Sequence, residues 1–458
     1  MFVDYNVHEC NATAEGIKKI PGGRIKPMRR FSICMFTGVV LCLTTAVPAR
    51  QNDREDLSSR IFLQRRQALM DSLGCGVAVL YSQGHETDTG YRADSHFWYL
   101  TGIDEPGAVL ILAPCEDRKQ TLLLPPRDMD EERWTGERPA LTESLRLSLG
   151  FDRILRTGYM DRILTECLRH TSVLHMISPP AGPSTDIPPD LVLYNRIRER
   201  IPGITISNSS RFPEHMRMIK SDMEIAAIER AIQITYSGLT ELLGRIEPGV
   251  TEFQLDGILE SAFKKQGAQY MAFDPIVGCG RKSAILHYQK RDGTLEPGQL
   301  LLLDIGAEWH RYAADISRTL PVDGRFSPEQ ADIYDIVLAA QKAAFRAVRP
   351  GATVQDVDDA ARSVIREAGY IDTYIHGTSH HLGLDVHDTA DYGMPLQPGM
   401  VITVEPGIYL PDLQIGIRIE DDVLVTRDGC RILSQQIPRE RKAVEAWMAA
   451  AGHPVSGK

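Results

Sequence analysis

Residues 247–251 read EPGVT and residues 349–353 read RPGAT, and these two stretches begin parallel runs of sequence. Each is followed, 102 residues apart in the two copies, by an aspartate and then a glycine: Asp256 and Gly267, and then Asp358 and Gly369. In both copies Pro-Gly ends one helix, Thr caps the next, and Gly stops it. Residues 295–298 (LEPG) and 396–399 (LQPG) then each precede an apolar run that reaches a carboxylate. The repeat predicts an α+β domain of two helix-then-strand halves, related by a pseudo-twofold axis with a site on it.

The first half ends in a predicted hairpin with two acids. Residues 300–320 (LLLLDIGAEWHRYAADISRTL) read as strand, turn and strand. If the turn centres on Trp309-His310, Asp304 and Asp315 lie directly opposite each other, with Cβ atoms about 5 Å apart. Like charges that face each other on apolar strands are destabilising unless a cation lies between them.

The second half repeats this arrangement. Glu405 and Glu420 are symmetric about residues 412–413, which follow Pro411 and form a natural turn. A single facing pair of acids could be solvated. Two pairs at matched places in a repeat, flanked by Leu, Ile and Val, predict a binuclear metal site.

A histidine-rich segment lies between the two hairpins. Residues 376–388 (HGTSHHLGLDVHD) contain His376, His380, His381 and His387. Several histidines in an irregular segment before a carboxylate strand favour ligand and proton-transfer roles. Coordination by carboxylates with about one imidazole favours hard or borderline divalent ions, above all manganese, with cobalt or zinc as alternatives.

The chain before the repeat predicts a smaller α/β domain. A helical pattern runs from Asp53 to Gly74, and four apolar runs predict short strands: residues 76–81, 97–100, 108–113 and 121–124. Ser221 and Glu224 form a capping box that begins a new helix after Pro-rich text. We therefore predict an amino-terminal domain at 51–217, a catalytic domain at 218–447 and a tail at 448–458.

The first fifty residues read as a leader. Residues 28–49 combine Arg29 and Arg30, a short apolar run and the small residues of Val47-Pro48-Ala49, which is typical of a signal peptide. The apolar run is too short for a stable membrane span. With Met28 as the true start, the protein is secreted or periplasmic if this signal is used, and cytoplasmic otherwise.

Composition excludes several classes of protein. The 458 residues are 43% hydrophobic and 24% charged with a net charge of −10, which indicates a globular protein and argues against nucleic acid as a partner. The eight cysteines are irregularly spaced and lack CxxC, so they predict small buried side chains and no disulfide framework or zinc ribbon. Five cysteines remain after the leader, so at least one is unpaired.

These motifs, taken together and in order, resemble the pita-bread metallopeptidases, and among them the aminopeptidase P (Xaa-Pro aminopeptidase) family. The resemblance runs from about residue 60 to 445 and rests on these segments: Asp304 with Asp315, residues 376–388, residues 403–409 (TVEPGIY), residues 416–422 (GIRIEDD), residues 97–112 (FWYLTGIDEPGAVLIL) and residues 134–136 (WTG). It implies a pseudo-twofold pita-bread catalytic domain preceded by a smaller α/β domain.

The resemblance also implies roles for individual residues. Two divalent ions would be held by Asp304, Asp315, His380, Glu405 and Glu420, with Asp315 and Glu420 bridging both ions. The substrate site would be lined by His287, His376 and His387. Arg418, together with Tyr409, would orient the carboxylates. The family often has an acidic residue immediately before the FWY segment, thought to reach a neighbouring subunit's site, and here that position is His96.

The implied activity is release of the N-terminal residue from peptides with a free N-terminus and proline in second position. A hydroxide bridging the ions would attack the carbonyl, Glu405 would carry the water proton to the leaving nitrogen, and His287 and His387 would donate hydrogen bonds. The resemblance further implies a homo-oligomer, either a dimer or a tetramer. Two alternatives stay open: an Xaa-Pro dipeptidase (prolidase) with the same site, and a metal-free pita-bread protein, either a creatinase-type amidinohydrolase or a non-catalytic binding protein.

Overall fold

A computed structural model of the chain describes residues 59–87 and 90–452. The predicted leader with its signal sequence lies outside the described residues, as does most of the predicted tail. The helices are α1 (Ser59–Leu73), α2 (Ser95–Thr101), α3 (Met129–Thr135), α4 (Glu143–Leu149), α5 (Met160–Cys167), α6 (Pro189–Arg200), α7 (Arg211–Met218), α8 (Asp222–Leu243), α9 (Glu252–Lys265), α10 (Pro328–Ala347), α11 (Val354–Glu367) and α12 (Arg441–Ala450). Within the described ranges, no helix has the length and apolar character needed to cross a bilayer.

Eighteen strands accompany these helices in the described residues. They are β1 (Val77–Tyr81), β2 (Gly84–Thr87), β3 (Gly90–Ala93), β4 (Val109–Leu112), β5 (Gln120–Leu124), β6 (Arg153–Arg156), β7 (Val173–Met176), β8 (Thr205–Asn208), β9 (Ile276–Cys279), β10 (Leu300–Ile305), β11 (Glu308–Trp309), β12 (Tyr312–Ala313), β13 (Ile316–Pro321), β14 (Val401–Val404), β15 (Gly407–Leu410), β16 (Ile415–Arg418), β17 (Asp421–Val425) and β18 (Cys430–Ile432).

The amino-terminal part is built on one mixed sheet of six strands in the order β6-β5-β4-β1-β7-β8. Strand β4 is antiparallel to β1 and β5, whereas the remaining neighbours are parallel. Strand β1 is almost wholly buried and strands β4 and β5 are wholly buried, because helices or the rest of the chain cover both faces of the sheet. Three of the four predicted strands are therefore confirmed, at 77–81, 109–112 and 120–124.

The fourth predicted strand, at residues 97–100, is wrong, because this segment lies inside helix α2. The Asp94 side chain accepts a hydrogen bond from the backbone N–H of Phe97 and caps the helix, and Gly102 ends it in the left-handed conformation. All residues from His96 to Thr101 are buried. A short apolar run that is buried on every side has no periodicity to separate helix from strand, so only the caps could have indicated the helix.

The cysteines also differ from the prediction in one respect. Cys75 and Cys115, both exposed, form a disulfide that links the start of β1 to the turn between β4 and β5. Cys167 and Cys279 are buried as predicted, and Cys430 is half-buried. Because the disulfide joins two loops at the ends of the central strands β1 and β4, it needs no special spacing in the sequence, and sequence alone did not reveal it.

The repeat in the second half of the chain is confirmed by matched structure. Thr251 and Thr353 each cap a helix, α9 and α11, through a capping box. The backbone N–H of Gly249 donates to Leu295 at 2.8 Å, and the N–H of Gly351 donates to Leu396 at 3.0 Å. Both glycines have a positive φ, +93° and +84°, which a side chain would strain. The two halves therefore have the same backbone conformation and hydrogen bond at this turn.

The first hairpin has a different register from the one predicted. Its turn lies at His310 and Arg311, both with positive φ, so that Trp309 pairs with Tyr312. Asp304 then pairs with Ser317, and Asp315 falls two positions away on the same face. Asp304 and Asp315 are therefore diagonal neighbours rather than directly opposite.

The reason for this register lies in the amino-terminal part. The guanidinium of Arg311 is buried, and it donates to Asp104 at 2.6 Å and to the carbonyl of Ala93 at 2.7 Å. Glu308 on the same hairpin forms an ion pair with Arg92 at 2.8 Å. These contacts fix the hairpin tip to residues far away in sequence, which local spacing could not predict.

The register of the second hairpin agrees with the prediction. Strands β15 and β16 pair Gly407 with Arg418, and β14 and β17 pair Val404 with Asp421. Glu405 and Glu420 lie between these two ladders at matching positions, with the turn at residues 411–413 as expected. The hairpins of the two halves bring their acids to one cavity.

Candidate metal centre and active site

Nine of the ten residues proposed from sequence line one cavity of about 460 Å³. They are His287, Asp304, Asp315, His376, His380, His387, Glu405, Arg418 and Glu420. Tyr409 does not line it but lies directly behind, 4% exposed. The first half of the repeat supplies Asp304 and Asp315, whereas His380, Glu405 and Glu420 come from the second half. The cavity therefore lies where the two halves meet.

The centre of the cavity holds a cluster with the geometry of a metal site. Asp315, His380 and Glu420 each offer a ligand atom, and these atoms lie within 4.8 Å of one another. The Nε2 atom of His380 is 3.4 Å from Asp315 Oδ2 and 3.4 Å from Glu405 Oε1. Its Nδ1 atom is 3.1 Å from the backbone carbonyl of His381, which favours a proton on Nδ1 and leaves the Nε2 lone pair directed at the carboxylates.

The electrostatics of the cluster favour a bound cation. Burial raises the pKa of Asp315 well above its ordinary value, and Asp304, Asp422 and Glu405 raise it further. Burial and the neighbouring Asp315 likewise raise the pKa of Glu420. The Oδ1 atoms of Asp304 and Asp315 are buried and have no hydrogen-bond donor among the described residues. Buried carboxylate oxygen atoms without a hydrogen-bond donor, together with one imidazole, are suitable ligands for divalent metal ions.

A chain of side chains runs from Asp304 to the wall of the cavity. Arg418 Nη2 donates to Asp304 Oδ2 at 2.6 Å, and Arg418 Nη1 donates to the hydroxyl of Tyr409 at 3.0 Å. That hydroxyl is 2.8 Å from Nε2 of His376. Burial and Arg418 lower the pKa of His376 to about 4, so the imidazole is neutral at pH 7. Arg418 therefore holds both a carboxylate and a neutral hydrogen-bonding histidine in place.

The remaining histidines lie at the cavity surface. His387 is exposed and packs edge-on against His380, with ring centroids 4.3 Å apart. His287 is also exposed and lines the same cavity. The apolar part of the wall is formed by Phe273, Ile276, Leu286 and Val386. The cavity thus combines polar groups with apolar side chains that suit an apolar part of a substrate.

Sequence analysis missed three residues that hold the proposed ligands through a side chain or a backbone N–H. Ser317 Oγ donates to Glu420 Oε2 at 2.8 Å and accepts from Arg418 Nε at 2.7 Å. Asp422 accepts from the backbone N–H of Asp315 at 3.2 Å. Thr403 Oγ1 accepts from the N–H of His380 at 3.1 Å. Each lies two positions from a proposed ligand on its strand, so the period-two alternation was the available signal.

His96 is turned into its own chain. The side chain is 4% exposed, and Nδ1 accepts from Arg217 Nη1 at 2.7 Å. Burial and the adjacent Arg217 lower the pKa of His96 to about 3, so this acceptor is neutral. The residue before the FWY segment, His96, thus makes a buried hydrogen bond within its own chain.

Comparison with known proteins agrees with this geometry. The description "Metallopeptidase family M24" matches residues 226–427, and "Aminopeptidase P, N-terminal domain" matches residues 62–175. The Xaa-Pro aminopeptidase of Escherichia coli K12 is 33% identical over 442 residues, which cover 86% of this chain and 99% of that protein.

Solved structures give the same result. A putative aminopeptidase P from Bacillus anthracis superposes with a TM-score of 0.81 at 31% identity, covering 87% of this chain and all of that one. Aminopeptidase PepP of Pseudomonas aeruginosa superposes with a TM-score of 0.78 at 33% identity, covering 86% and 98%. The predicted pita-bread architecture with a smaller amino-terminal domain is confirmed. This chain belongs to metallopeptidase family M24, among the members that carry an aminopeptidase P amino-terminal domain.

Proposed function

We propose that this protein is a metal-dependent Xaa-Pro aminopeptidase, which releases the N-terminal residue from peptides with proline in second position. The observation that carries the proposal is the cluster of Asp315, His380 and Glu420 in an open cavity. The chain also covers almost the full length of a relative named for this activity. The reaction is hydrolysis of a peptide bond at a free N-terminus.

Two divalent ions, above all manganese, would be held by Asp304, Asp315, His380, Glu405 and Glu420. When bound, such a pair supplies a nucleophile from water at neutral pH and stabilises negative charge on the carbonyl oxygen. The family implies metal ions, and the carboxylate-rich donor set supports manganese over zinc. Metal analysis of protein purified from its native cell would test the identity.

The chain's own residues orient the substrate and move protons. Glu405 lies at the cavity, and burial raises its pKa, which suits a group that accepts a proton and passes it to the leaving proline nitrogen. His287 and His387 line the cavity and would donate hydrogen bonds to the substrate carbonyl. Asp304 would hold the free amine. This last contact restricts the enzyme to unblocked N-termini.

The expected preference for proline rests on the relatives named for this activity, and the chemistry of the bond is compatible with it. An Xaa-Pro bond has no N–H, and proline fixes its own φ. A site that required that N–H would reject proline, whereas a cleft flanked by His287, His376 and His387 need not. We expect the bond to react in its trans form, so cis substrate would wait for slow isomerisation.

A tripeptide assay tests this proposal and separates the alternatives. After metal reconstitution, we expect Xaa-Pro-Yaa peptides to be cleaved much faster than Xaa-Ala-Yaa peptides, with little cleavage when the N-terminus is acetylated. Activity limited to Xaa-Pro dipeptides would indicate a prolidase. A protein that binds no ions and cleaves neither would be a metal-free member of the fold.

We also propose that the mature protein is exported. The signal-like residues 28–49 support this, as does the exposed disulfide between Cys75 and Cys115, because such bonds persist in oxidising compartments. N-terminal sequencing of native protein should find a start near Arg50. Intact residues 1–49 on cytosolic protein would refute export and leave the enzymatic proposal unchanged.

The expected assembly is a homo-oligomer, either a dimer or a tetramer, which sedimentation analysis would distinguish. Peptides with a free N-terminus are the expected partners. The net charge of −10 supports the expectation that nucleic acid is not a partner. Retention on immobilised DNA or RNA at physiological salt would contradict that expectation.

A further inference from the structure

A group of four charged residues, three of them buried, lies beside the cavity without lining it. We call it the anchor cluster, and it consists of Arg217, Lys220, Asp385 and Asp388. Arg217 Nη2 forms ion pairs with Asp388 and, at 2.6 Å, with Asp385, and Lys220 Nζ is 3.2 Å from Asp388 Oδ2. The side chains of Lys220 and Asp388 are each 1% exposed. Such a cluster is costly to bury, so its location needs a reason.

The acids of the cluster belong to a loop that closes on itself. The segment pairs with β14 at its start, where the N–H of Leu382 donates to Val401 at 3.0 Å. It returns when the N–H of Asp388 donates to the carbonyl of His381 at 2.9 Å. Between these points the carbonyl of Gly383 accepts from Ala313 of the first half at 2.8 Å. Asp388 is therefore the residue at which this loop is closed and fixed.

The closed loop carries one of the histidines of the cavity. His387 immediately precedes Asp388, and its ring packs edge-on against His380 at 4.3 Å between centroids. The side chain of Asp388 is held in the protein interior, whereas that of His387 is exposed at the cavity. Fixing the Asp388 side chain thus limits the positions that the His387 ring can adopt.

The packing around Asp388 leaves no room for adjustment. A Cβ atom added at Gly383 would overlap the Asp388 carboxylate and lie 3.0 Å from Lys220 Cε. Of the two cations, Arg217 lies in the last turn of α7, and Lys220 lies between α7 and α8, where its N–H donates to the carbonyl of Gly399 at 2.8 Å. Ser95 of α2 completes the cluster by donating to Asp385 at 2.6 Å.

We propose that Asp388, held by Arg217 and Lys220, is a positioning residue that fixes His387 in the substrate cavity. The proposal rests on the proposed function, which gives His387 a hydrogen bond to the substrate carbonyl. It assigns the end of α7 and the residues that follow it a part in the reaction, although none of the four residues of the anchor cluster lines the cavity.

The test uses Asp388→Asn, which keeps the shape and removes the charge, and Gly383→Ala, which keeps the charge and displaces the carboxylate. We expect kcat/KM on an Xaa-Pro-Yaa peptide to fall about 10- to 100-fold in both, the usual cost of losing a group that supports a site residue. Metal content should stay at the wild-type value. The controls are Glu224→Gln, which alters another buried ion pair, with Arg65 at 3.0 Å, and Gly257→Ala, where a Cβ meets nothing within 4 Å.

A double-mutant cycle separates positioning from general stability. In a His387→Ala background, Asp388→Asn should cause no further loss, because its effect passes through His387. Glu224→Gln should show no such coupling. If the losses from Asp388→Asn and His387→Ala multiply, the proposal is wrong.

A crystal structure of Gly383→Ala gives a result independent of activity. We expect the His387 ring to have left its 4.3 Å packing against His380. An unchanged ring with a displaced Asp388 carboxylate would overturn the positioning role. A wild-type protein inactive on Xaa-Pro peptides would instead refute the proposed function, whereas the ring displacement would still be measurable.

Discussion

Two groups of acids lie in or beside the segment 380–388, and the charge of their buried members is balanced in opposite ways. In the metal centre, burial and neighbouring carboxylates both raise the pKa values of Asp315 and Glu420. In the anchor cluster, burial also opposes the charged form of Asp388, but Arg217 and Lys220 outweigh it and lower the pKa. The pKa values of buried acids in the two groups are thus shifted in opposite directions.

The difference teaches how to tell a structural acid from a ligand. The anchor cluster contains its own cations, so its charge is balanced by the sequence alone. The metal centre gathers four carboxylates, and Arg418 and His380 do not balance them. A buried acid without a counter-charge in the chain is destabilising until a cation arrives from solution. Burial alone would not separate the two groups.

The largest effect should follow removal of the metal. A carboxyl group whose pKa is raised in the folded state favours folding only when it is protonated. Its contribution to folding stability is therefore fully present below about pH 4 and is lost as the pH rises through the folded-state pKa. Asp315 and Glu420 follow this rule in metal-free protein. Chelation should abolish activity and lower Tm more at pH 8 than at pH 5. An equal decrease in Tm at both pH values would contradict the idea that the acids of the metal centre lack a counter-charge without metal.

Removing one ligand should be nearly as severe. Asp315→Ala or Glu420→Ala leaves the other acids uncompensated, so each variant should bind fewer than two ions and lose activity by more than about 100-fold. Glu224→Gln, which alters an acid already paired with Arg65, should keep its metal content. Wild-type activity of either alanine variant in metal-free buffer would disprove the binuclear assignment.

Replacing the guanidinium that donates to the Asp304 carboxylate should have an intermediate effect. Arg418 contacts Asp304, Ser317 and Tyr409 at once, and a lysine ammonium cannot reproduce that fork. Arg418→Lys should keep bound metal and lose about 10- to 100-fold in kcat. Unchanged kcat would mean that Arg418 contributes packing alone. The control is the metal content measured on the same sample.

The smallest effect should come from the outer acid of the anchor cluster. The Asp385 side chain is 46% exposed, and Arg217 keeps its contact with Asp388 when Asp385 is changed. Solvent screens such a pair, so Asp385→Asn should cost at most about 1 kcal/mol in unfolding free energy and change kcat/KM by less than about threefold. Urea unfolding and tripeptide kinetics measure both, and a loss equal to that of Asp388→Asn would show that exposure does not separate the two acids.

Much of the metal centre could be predicted because its residues belong to local patterns. The repeat located Asp304, Asp315, Glu405 and Glu420 through spacing, and these residues converge on one cavity. Symmetry of spacing also gave the correct register of the second hairpin, where Pro411 begins the turn.

Other features depend on partners distant in sequence. The first hairpin turns one residue later than predicted because Arg311 is held by Asp104, more than 200 positions away. The anchor cluster joins Ser95, Arg217 and Asp388, and no spacing rule connects them. Helix α2 was missed because a fully buried run has no amphipathic period.

The matched backbone contacts of the two halves, from Gly249 to Leu295 and from Gly351 to Leu396, have a consequence for biosynthesis. Of the proposed metal ligands, Asp304 and Asp315 come from the first half, whereas His380, Glu405 and Glu420 come from the second. A nascent chain with only its first half emerged holds two of the five donors. Peptide hydrolysis is therefore withheld until translation has passed Glu420 and the halves have docked, so an incomplete chain is not yet a peptidase.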